Sequence, residues 1–124
     1  PDALKSSLDV LVSLAGQGRP IAVLADMLEL GEISAQAHEA CGRYAAQIGV
    51  QALITVGNQA AHLARGAQEE NNALEVHQCA NNQEAFAQLQ RIAQPGDIVL
   101  VKGSRGMKTD KIVSAIRQWK GQID

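Results

Sequence analysis

The sequence predicts an α/β fold in which a mostly parallel sheet is covered by helices on both faces, in three layers. Four short stretches of strand character alternate with helical patterns along the chain, and this alternation is typical of βαβ units. The 124 residues suffice for one domain that buries about two-thirds of its unfolded surface. No repeat, low-complexity tract or second domain is visible. We therefore expect a single domain over residues 1–124.

The first half of the chain contains two helices and two strands. Apolar residues at helical spacing predict a helix over Asp2–Ala15. A buried strand is expected over Ile21–Ala25, after glycines and a proline that end the helix. Ser34 is placed to cap the next helix, and Ala52–Val56 is predicted as the second strand.

The second half repeats this alternation. A short helix is expected over roughly Gln59–Ala67, and Leu74–Cys79 alternates like a less buried strand. Asn81 or Asn82 can cap the following helix, and Ile98–Val101 has the composition of a buried strand. A last helix is predicted by apolar residues that share one face, namely Ile112, Val113, Ile116 and Trp119.

Composition and charge exclude several classes of function. One Phe, one Tyr and one Trp provide no stacking platform for single-stranded nucleic acid. A net charge of −2 gives no general attraction to phosphate backbones. Residues 102–124 nevertheless hold six Lys or Arg and two Asp, against five and eleven acids in residues 1–101. No apolar run reaches membrane-spanning length, and two cysteines without a disulfide pattern favour a cytoplasmic protein.

We recognise no catalytic set and no metal site. The three histidines are scattered without metal-ligand spacing, and Cys41 is expected to fill the core because no partner is placed to activate it. His38 follows the stretch that contains Asp26 and Glu29 by a few residues. It could brace Asp26 or Glu29, or it could simply lie on the surface of a helix.

The most informative stretch follows the last predicted strand. Lys102-Gly103-Ser104-Arg105-Gly106 forms a glycine-bearing loop between a strand and a helix, which is how α/β proteins present backbone N–H groups to an anion. Lys102 and Arg105 add charge, and Ser104 adds a hydroxyl. The spacing is not that of a Walker loop. The alternative is an ordinary turn with both cations in solvent.

A second loop of interest follows the first strand. Parallel strands end at the same edge of a sheet, and ligands bind beyond those ends, so the loop with Asp26 and Glu29 should lie near the loop with Lys102 and Arg105. Carboxylates on one side and cations on the other could hold a zwitterion. The alternative is that Asp26 caps a turn and Glu29 is solvated.

Three segments resemble the C-terminal domain of the Mur ligases in order and spacing. These segments are Pro1–Lys5, Val23–Gly31 and Leu100–Met107, and the resemblance covers essentially the whole chain. The pair Asp-Met-Leu-Glu-Leu-Gly and Val-Lys-Gly-Ser-Arg-Gly points to the branch that joins D-alanyl-D-alanine to UDP-N-acetylmuramoyl-tripeptide. Ala25 departs from the family, which usually has glycine before the aspartate. The resemblance implies a Rossmann-like fold.

The resemblance also implies a function. Such ligases make peptidoglycan precursors in the bacterial cytoplasm, using ATP and Mg²⁺ to activate a carboxylate as an acyl phosphate that the incoming amine attacks. A central domain carries most of the ATP and Mg²⁺ site, and it and the N-terminal domain lie outside this chain. The C-terminal domain is expected to bind the dipeptide, to close over the nucleotide and to be inactive alone, within a monomeric enzyme.

Individual residues acquire roles by this resemblance. Lys102, Ser104 and Arg105, with the backbone of Gly103, would bind the dipeptide carboxylate or charge near the acyl phosphate. Asp26 and Glu29 would orient the ammonium end or the loop itself. Asp2 matches the end of the family's interdomain hinge and would approach the nucleotide. No residue of this chain is assigned proton chemistry.

Two alternative functions belong to other classes. A self-sufficient small-molecule or nucleotide-binding module would use the loop at 102–106 alone, and would bind phosphate or nucleotide tightly. A structural or interaction domain would use the basic last helix to dock a partner, and Arg105 would then be dispensable for activity.

Overall fold

The computed structural model describes residues 1–123, with the side chains of residues 1–119, and helices and strands alternate throughout. The helices are α1 (Asp2–Ala15), α2 (Ser34–Ile48), α3 (Ala60–Glu70), α4 (Asn82–Ile92) and α5 (Asp110–Ile123). The strands are β1 (Pro20–Ala25), β2 (Ala52–Val56), β3 (Glu75–Cys79) and β4 (Ile98–Lys102). Two single turns of 3₁₀-helix, Gly31–Ile33 and Arg105–Met107, were not predicted.

These strands form one sheet in the order β3-β2-β1-β4, and every neighbouring pair is parallel. In the centre, Val23 of β1 pairs with Ile54 of β2 and with Val101 of β4. The chain builds the sheet outward from β1 to β3 and then crosses to β4 on the other side of β1. The predicted α/β fold is confirmed, and the strand order reverses between β1 and β4.

Helices cover both faces of the sheet, as predicted. Leu8 of α1, Cys41 of α2 and Leu63 of α3 pack on one face, against alternate strand residues such as Leu24. Leu89 of α4 and Ile112 of α5 pack on the opposite face. Because strand side chains alternate in direction, the fully buried β1 and β2 supply both layers of core.

The predicted boundaries agree closely for some elements and fail for others. The bounds of α1 coincide with the prediction, and Asn81 is the cap of α4, since its side chain accepts a hydrogen bond from Glu84 N. Ser34 is not a cap: it is the first residue of α2, and Ile33 occupies the cap position.

The last strand is less buried than its composition predicts. All five residues of β4 are half-buried, because β4 lies at the edge of the sheet and has a strand neighbour on one side only. The apolar run Ile98–Val101 is compatible with either an edge or a central strand. The expectation of a buried strand was therefore wrong.

Two glycines bring α2 and α3 close together. A Cβ built on Gly42 would lie 1.9 Å from the carbonyl oxygen of Leu63, and one on Gly66 would lie 2.3 Å from that of Glu39. Only residues without a Cβ allow this approach. The crossing fixes the start of α3 beside the start of α2, and both starts face the carboxyl edge of the sheet.

None of the helices in residues 1–123 is long and apolar enough to span a bilayer.

Candidate functional site

The two loops of interest lie beside each other where the strand order reverses. Residues 26–30, here called the acidic loop, follow β1, and residues 103–107, here called the basic loop, follow β4. Since β1 and β4 are parallel neighbours, both loops leave the same edge of the sheet. This topological switch point is where ligands bind in open α/β sheets.

Hydrogen bonds through Ser104 join the two loops directly. Its backbone N–H donates to the carbonyl oxygen of Asp26 at 3.1 Å, and its Oγ accepts from Leu28 N at 2.7 Å. Gly103 makes this approach possible, because a Cβ there would lie 2.7 Å from the Cβ of Ala25. The methyl group of Ala25 thus fills the space that Gly103 leaves.

Asp26 serves as a structural anchor. Its side chain is buried, and Oδ1 accepts a hydrogen bond from Ala60 N, the first residue of α3, at 2.6 Å. A carboxylate at this helix start is stabilised by the helix dipole. A Cβ on Gly57 would lie 2.5 Å from Asp26 Oδ1, so this glycine is needed to make room. Asp26 is placed at the site, as predicted, but its carboxylate is directed to the protein; ligand contact stays a prediction.

Glu29 is exposed and has an unusual backbone conformation. Its φ of 64° lies in the left-handed region, which costs a residue with a side chain roughly 1–2 kcal/mol. Glu29 lines a cavity of about 350 Å³ together with Leu28, Ser104, Arg105 and Gly106. The structure therefore brings Glu29 and Arg105 to one cavity, as the sequence predicted.

A second cavity lies on the other side of Ser104. It measures about 230 Å³ and is lined by Pro1, Ala3, Leu4, Ala25, Met27, Lys102, Gly103 and Ser104. Lys102 is therefore separated from Arg105, and Ser104 contacts both cavities. Asp2, the predicted nucleotide neighbour, is exposed in the first turn of α1 between two residues of this lining. Nothing in the sequence indicated that Lys102 and Arg105 would line different cavities.

His38 is fully buried rather than on a helix surface. Its Nδ1 lies 2.7 Å from the carbonyl oxygen of Ser34, and its Nε2 accepts a hydrogen bond from Met27 N at 2.9 Å. It braces the acidic loop through Met27, and not through Asp26 or Glu29. The expectation of a helix-surface residue was wrong, because one turn of α2 faces the loop.

Three charged side chains line the two cavities, namely Glu29, Lys102 and Arg105. In residues 1–119, none of Glu29, Lys102 and Arg105 takes part in an ion pair within 4 Å. Charges left unpaired at a sheet edge remain available to a ligand.

Both cysteines lie outside the site. Cys41 and Cys79 are free and buried in the cores on opposite faces of the sheet. Burial raises the pKa of each thiol, which keeps the less reactive protonated form. The assignment of Cys41 to the core is confirmed.

In the part of the chain that the structure describes, no group of three or more His, Cys, Asp or Glu could hold a metal ion.

Comparison with known proteins identifies relatives across most of the chain. The family model "Mur ligase, glutamate ligase domain" matches residues 1–105. The chain is 32% identical over 113 residues to the UDP-N-acetylmuramoyl-tripeptide–D-alanyl-D-alanine ligase of Bacillus subtilis, covering 91% of the chain and 25% of that protein. The protein of the same name from Mycobacterium leprae is 34% identical, over 86% of the chain and 24% of the relative. The chain thus spans about a quarter of the length of these relatives.

Solved structures have the same fold. Crystal structure I of MurF from Acinetobacter baumannii superimposes with a TM-score of 0.74 at 23% identity, over 92% of this chain and 25% of that chain. Crystal structure II of the same protein gives 0.71 at 24% identity.

Proposed function

This chain belongs to the Mur ligase family, and we propose that it is the acceptor-binding domain of a ligase that joins D-alanyl-D-alanine to UDP-N-acetylmuramoyl-tripeptide. The relatives that carry this activity in their names are at least 30% identical over most of the chain. The remaining three-quarters of such an enzyme would hold ATP, Mg²⁺ and the UDP-linked substrate. We further propose a monomeric enzyme in the bacterial cytoplasm, a setting that suits two free, buried thiols.

The cavity between Glu29 and Arg105 is the observation that carries this proposal. D-alanyl-D-alanine is a zwitterion with a carboxylate at one end and an amine at the other. Arg105 offers a planar group that binds carboxylates through two hydrogen bonds. Glu29 offers a carboxylate to the amine end. A cavity of about 350 Å³ lies within the usual range of small-ligand sites.

The second cavity suits a different part of the reaction. Lys102 and the backbone of Gly103 line it, beside the start of α1. We assign this cation to negative charge near the acyl phosphate, and we assign Asp2 to the approach of the nucleotide. Ser104 borders both cavities, and since its Oγ already accepts from Leu28 N, the hydroxyl hydrogen can be donated to a ligand.

These residues contribute orientation and electrostatic stabilisation. The amine must reach the activated carbonyl carbon in a reactive geometry. Holding both ends of the dipeptide fixes its position and orientation, so less entropy is lost on reaching the transition state. Lys102 would stabilise charge that grows as the phosphate departs. The carboxylate of Asp26 would act at a distance, by fixing the acidic loop against α3. ATP and Mg²⁺ would be held by the central domain.

The test is a steady-state comparison in the full-length ligase. Arg105→Ala should raise the KM for D-alanyl-D-alanine roughly ten- to hundredfold, the value of a hydrogen-bonded charge. The KM values for ATP and UDP-N-acetylmuramoyl-tripeptide should stay close to those of the unmodified enzyme. Arg117→Ala is the matched control, since Arg117 is an exposed arginine of α5 that does not line either cavity.

An unchanged KM for the dipeptide in Arg105→Ala would overturn the proposal. If activity also stayed intact, an interaction domain would be the better interpretation. Tight binding of nucleotide by this domain alone would instead favour the self-sufficient module.

A further inference from the structure

We propose that His38 is a positioning residue for the incoming amine, because it holds the acidic loop in the conformation that presents Glu29. This inference rests on the proposed function. His38 does not line either of the two cavities, so it would act through the loop and would not touch the substrate.

The contacts of His38 require one form of the ring. Nδ1 faces the carbonyl oxygen of Ser34 at 2.7 Å and must donate, whereas Nε2 faces the N–H of Met27 at 2.9 Å and must accept. The neutral tautomer with hydrogen on Nδ1 satisfies both partners. The ring is fully buried, so no water competes for the Met27 amide from the side of the ring.

This bond completes a continuous set of restraints on the acidic loop. Asp26 N–H donates to Val56 O at 3.2 Å, Met27 N–H donates to His38, and Leu28 N–H donates to Ser104 Oγ. Three consecutive amides are thus held by three different elements. Glu29 follows immediately, at a φ of 64°. A strained residue keeps its conformation only where its surroundings determine it strongly, and the His38 bond is the middle restraint of the three.

The same network reaches the start of α3. Ser34, whose carbonyl oxygen accepts from His38, also donates through its hydroxyl to Gln59 Oε1 at 2.8 Å. Gln59 precedes Ala60, to which Asp26 is bonded. His38 therefore lies where α2, α3 and the acidic loop meet. A displacement of the ring would be transmitted to the loop and to the anchor of Asp26.

The experiment compares a substitution that offers Met27 N an acceptor with one that does not, within the full-length ligase. Gln is long enough to place its side-chain oxygen where Nε2 lies, whereas Leu fills similar space without an acceptor. His38→Leu removes both hydrogen bonds of the ring. The bond from Met27 N is the one that holds the loop, and its loss should raise the KM for D-alanyl-D-alanine roughly three- to tenfold, as expected for one neutral hydrogen bond. The KM for ATP should not change. His38→Gln should restore most of the dipeptide KM.

A second measurement is independent of catalysis. Hydrogen exchange followed by mass spectrometry should show faster exchange in peptides that cover residues 26–31 in His38→Leu, and nearly normal exchange in His38→Gln. If the Leu variant does not fold, His38→Asn replaces it, because its shorter side chain cannot reach Met27 N.

Each outcome has one meaning. Equal dipeptide KM and equal exchange in the Leu and Gln variants would overturn the role of His38. If that result occurred while Arg105→Ala still raised the dipeptide KM, the proposed function would stand without it. If Arg105→Ala had no effect but exchange at residues 26–31 responded to the acceptor, His38 would position the loop and the proposed function would fail.

Discussion

The charged side chains at the amino ends of β1 and β4 differ in their contacts from those at the carboxyl ends. At the amino end, Arg19 binds both carboxylate oxygens of Asp97, at 3.0 and 2.8 Å, and also the carbonyl oxygen of Ile92. At the carboxyl end, Glu29, Lys102 and Arg105 face two cavities, and none of them takes part in an ion pair within the described side chains. Among the described side chains, the same two strands thus have an ion pair at one end and charges without an ion pair at the other.

The backbone conformation also differs between the amino and carboxyl ends of these strands. The turn before β4 places its positive φ on a glycine, Gly96, whereas the loop after β1 places one on Glu29. Local strain and unpaired charge are typical of sites that serve a ligand at some cost in stability. We therefore expect the amino end to stabilise the fold, and the carboxyl end is where we propose that the ligand binds.

Asp97→Ala should remove the ion pair with Arg19 at the amino end and give the largest loss of stability. It removes three hydrogen bonds, from Arg19 Nε, Arg19 Nη2 and Gln94 N, and leaves a partly buried guanidinium without its carboxylate. We expect a fall of about 2–3 kcal/mol in the free energy of unfolding, measured by urea denaturation. Glu69→Ala is the control, since its pairs with Arg43 and Arg65 are formed by exposed side chains and should matter little. Similar losses in both variants would contradict a stabilising role for the ion pair between Arg19 and Asp97.

The ion pair between Arg19 and Asp97 should also make the free energy of unfolding depend on pH. The hydrogen bonds from Arg19 lower the pKa of Asp97 in the folded state. A carboxyl group with a depressed folded pKa stabilises the protein above its unfolded pKa of about 4, and this contribution is lost as the pH falls through the folded pKa. Asp97→Asn should therefore flatten the acid side of the stability curve, measured as the free energy of unfolding between pH 5 and pH 2. Parallel curves would show that other carboxyl groups dominate.

Gly103→Ala should test how tightly the two loops must approach at the carboxyl end. The new Cβ would meet the Cβ of Ala25 at 2.7 Å and Cγ2 of Thr109 at 3.1 Å, and overpacking of this kind costs about 1–3 kcal/mol. Adding Ala25→Gly should recover part of the loss by removing the first contact. The double-mutant cycle measures this coupling, and strictly additive effects would show that the two positions do not meet.

Glu29→Gly should give the smallest change in stability, and in the opposite direction. Relief of the left-handed conformation should outweigh the greater freedom of glycine in the unfolded chain, for a net gain of about 0.5–1 kcal/mol in thermal denaturation. Glu29→Gln keeps the strain and removes the charge, so its stability should not change. Both variants should raise the dipeptide KM in the full-length ligase. A stability gain with an unchanged KM would separate the strain from binding.

The fold was predictable because its signals are local. The helical spacing of Leu4, Leu8 and Leu11 predicted α1 with its observed bounds, and alternation of helices with strands predicted a parallel sheet. The position of β4 was not predictable, since an apolar run fits a central strand or an edge strand equally well. The sheet order is a property of the whole chain.

The candidate site was predictable in part. The rule that parallel strands end at one edge correctly brought Glu29 and Arg105 to the same cavity. The burial of the Asp26 carboxylate under Gly57 was beyond sequence reasoning, because residues 31 positions apart in the chain create that environment. His38 was offered as a possible brace of Asp26 or Glu29, but the sequence did not identify the backbone N–H of Met27 as its partner.

The sequence by itself determined the order of the α-helices and strands, the fold class and the family, since periodicity and short motifs are local features of the chain. The tertiary structure alone decided that β1 and β4 are neighbours, that Ser104 lines two cavities, and which of the described side chains form ion pairs. The physical reason is that hydrogen bonds and side-chain contacts depend on distances in space. Those distances follow from packing the whole sheet between its two layers of helices.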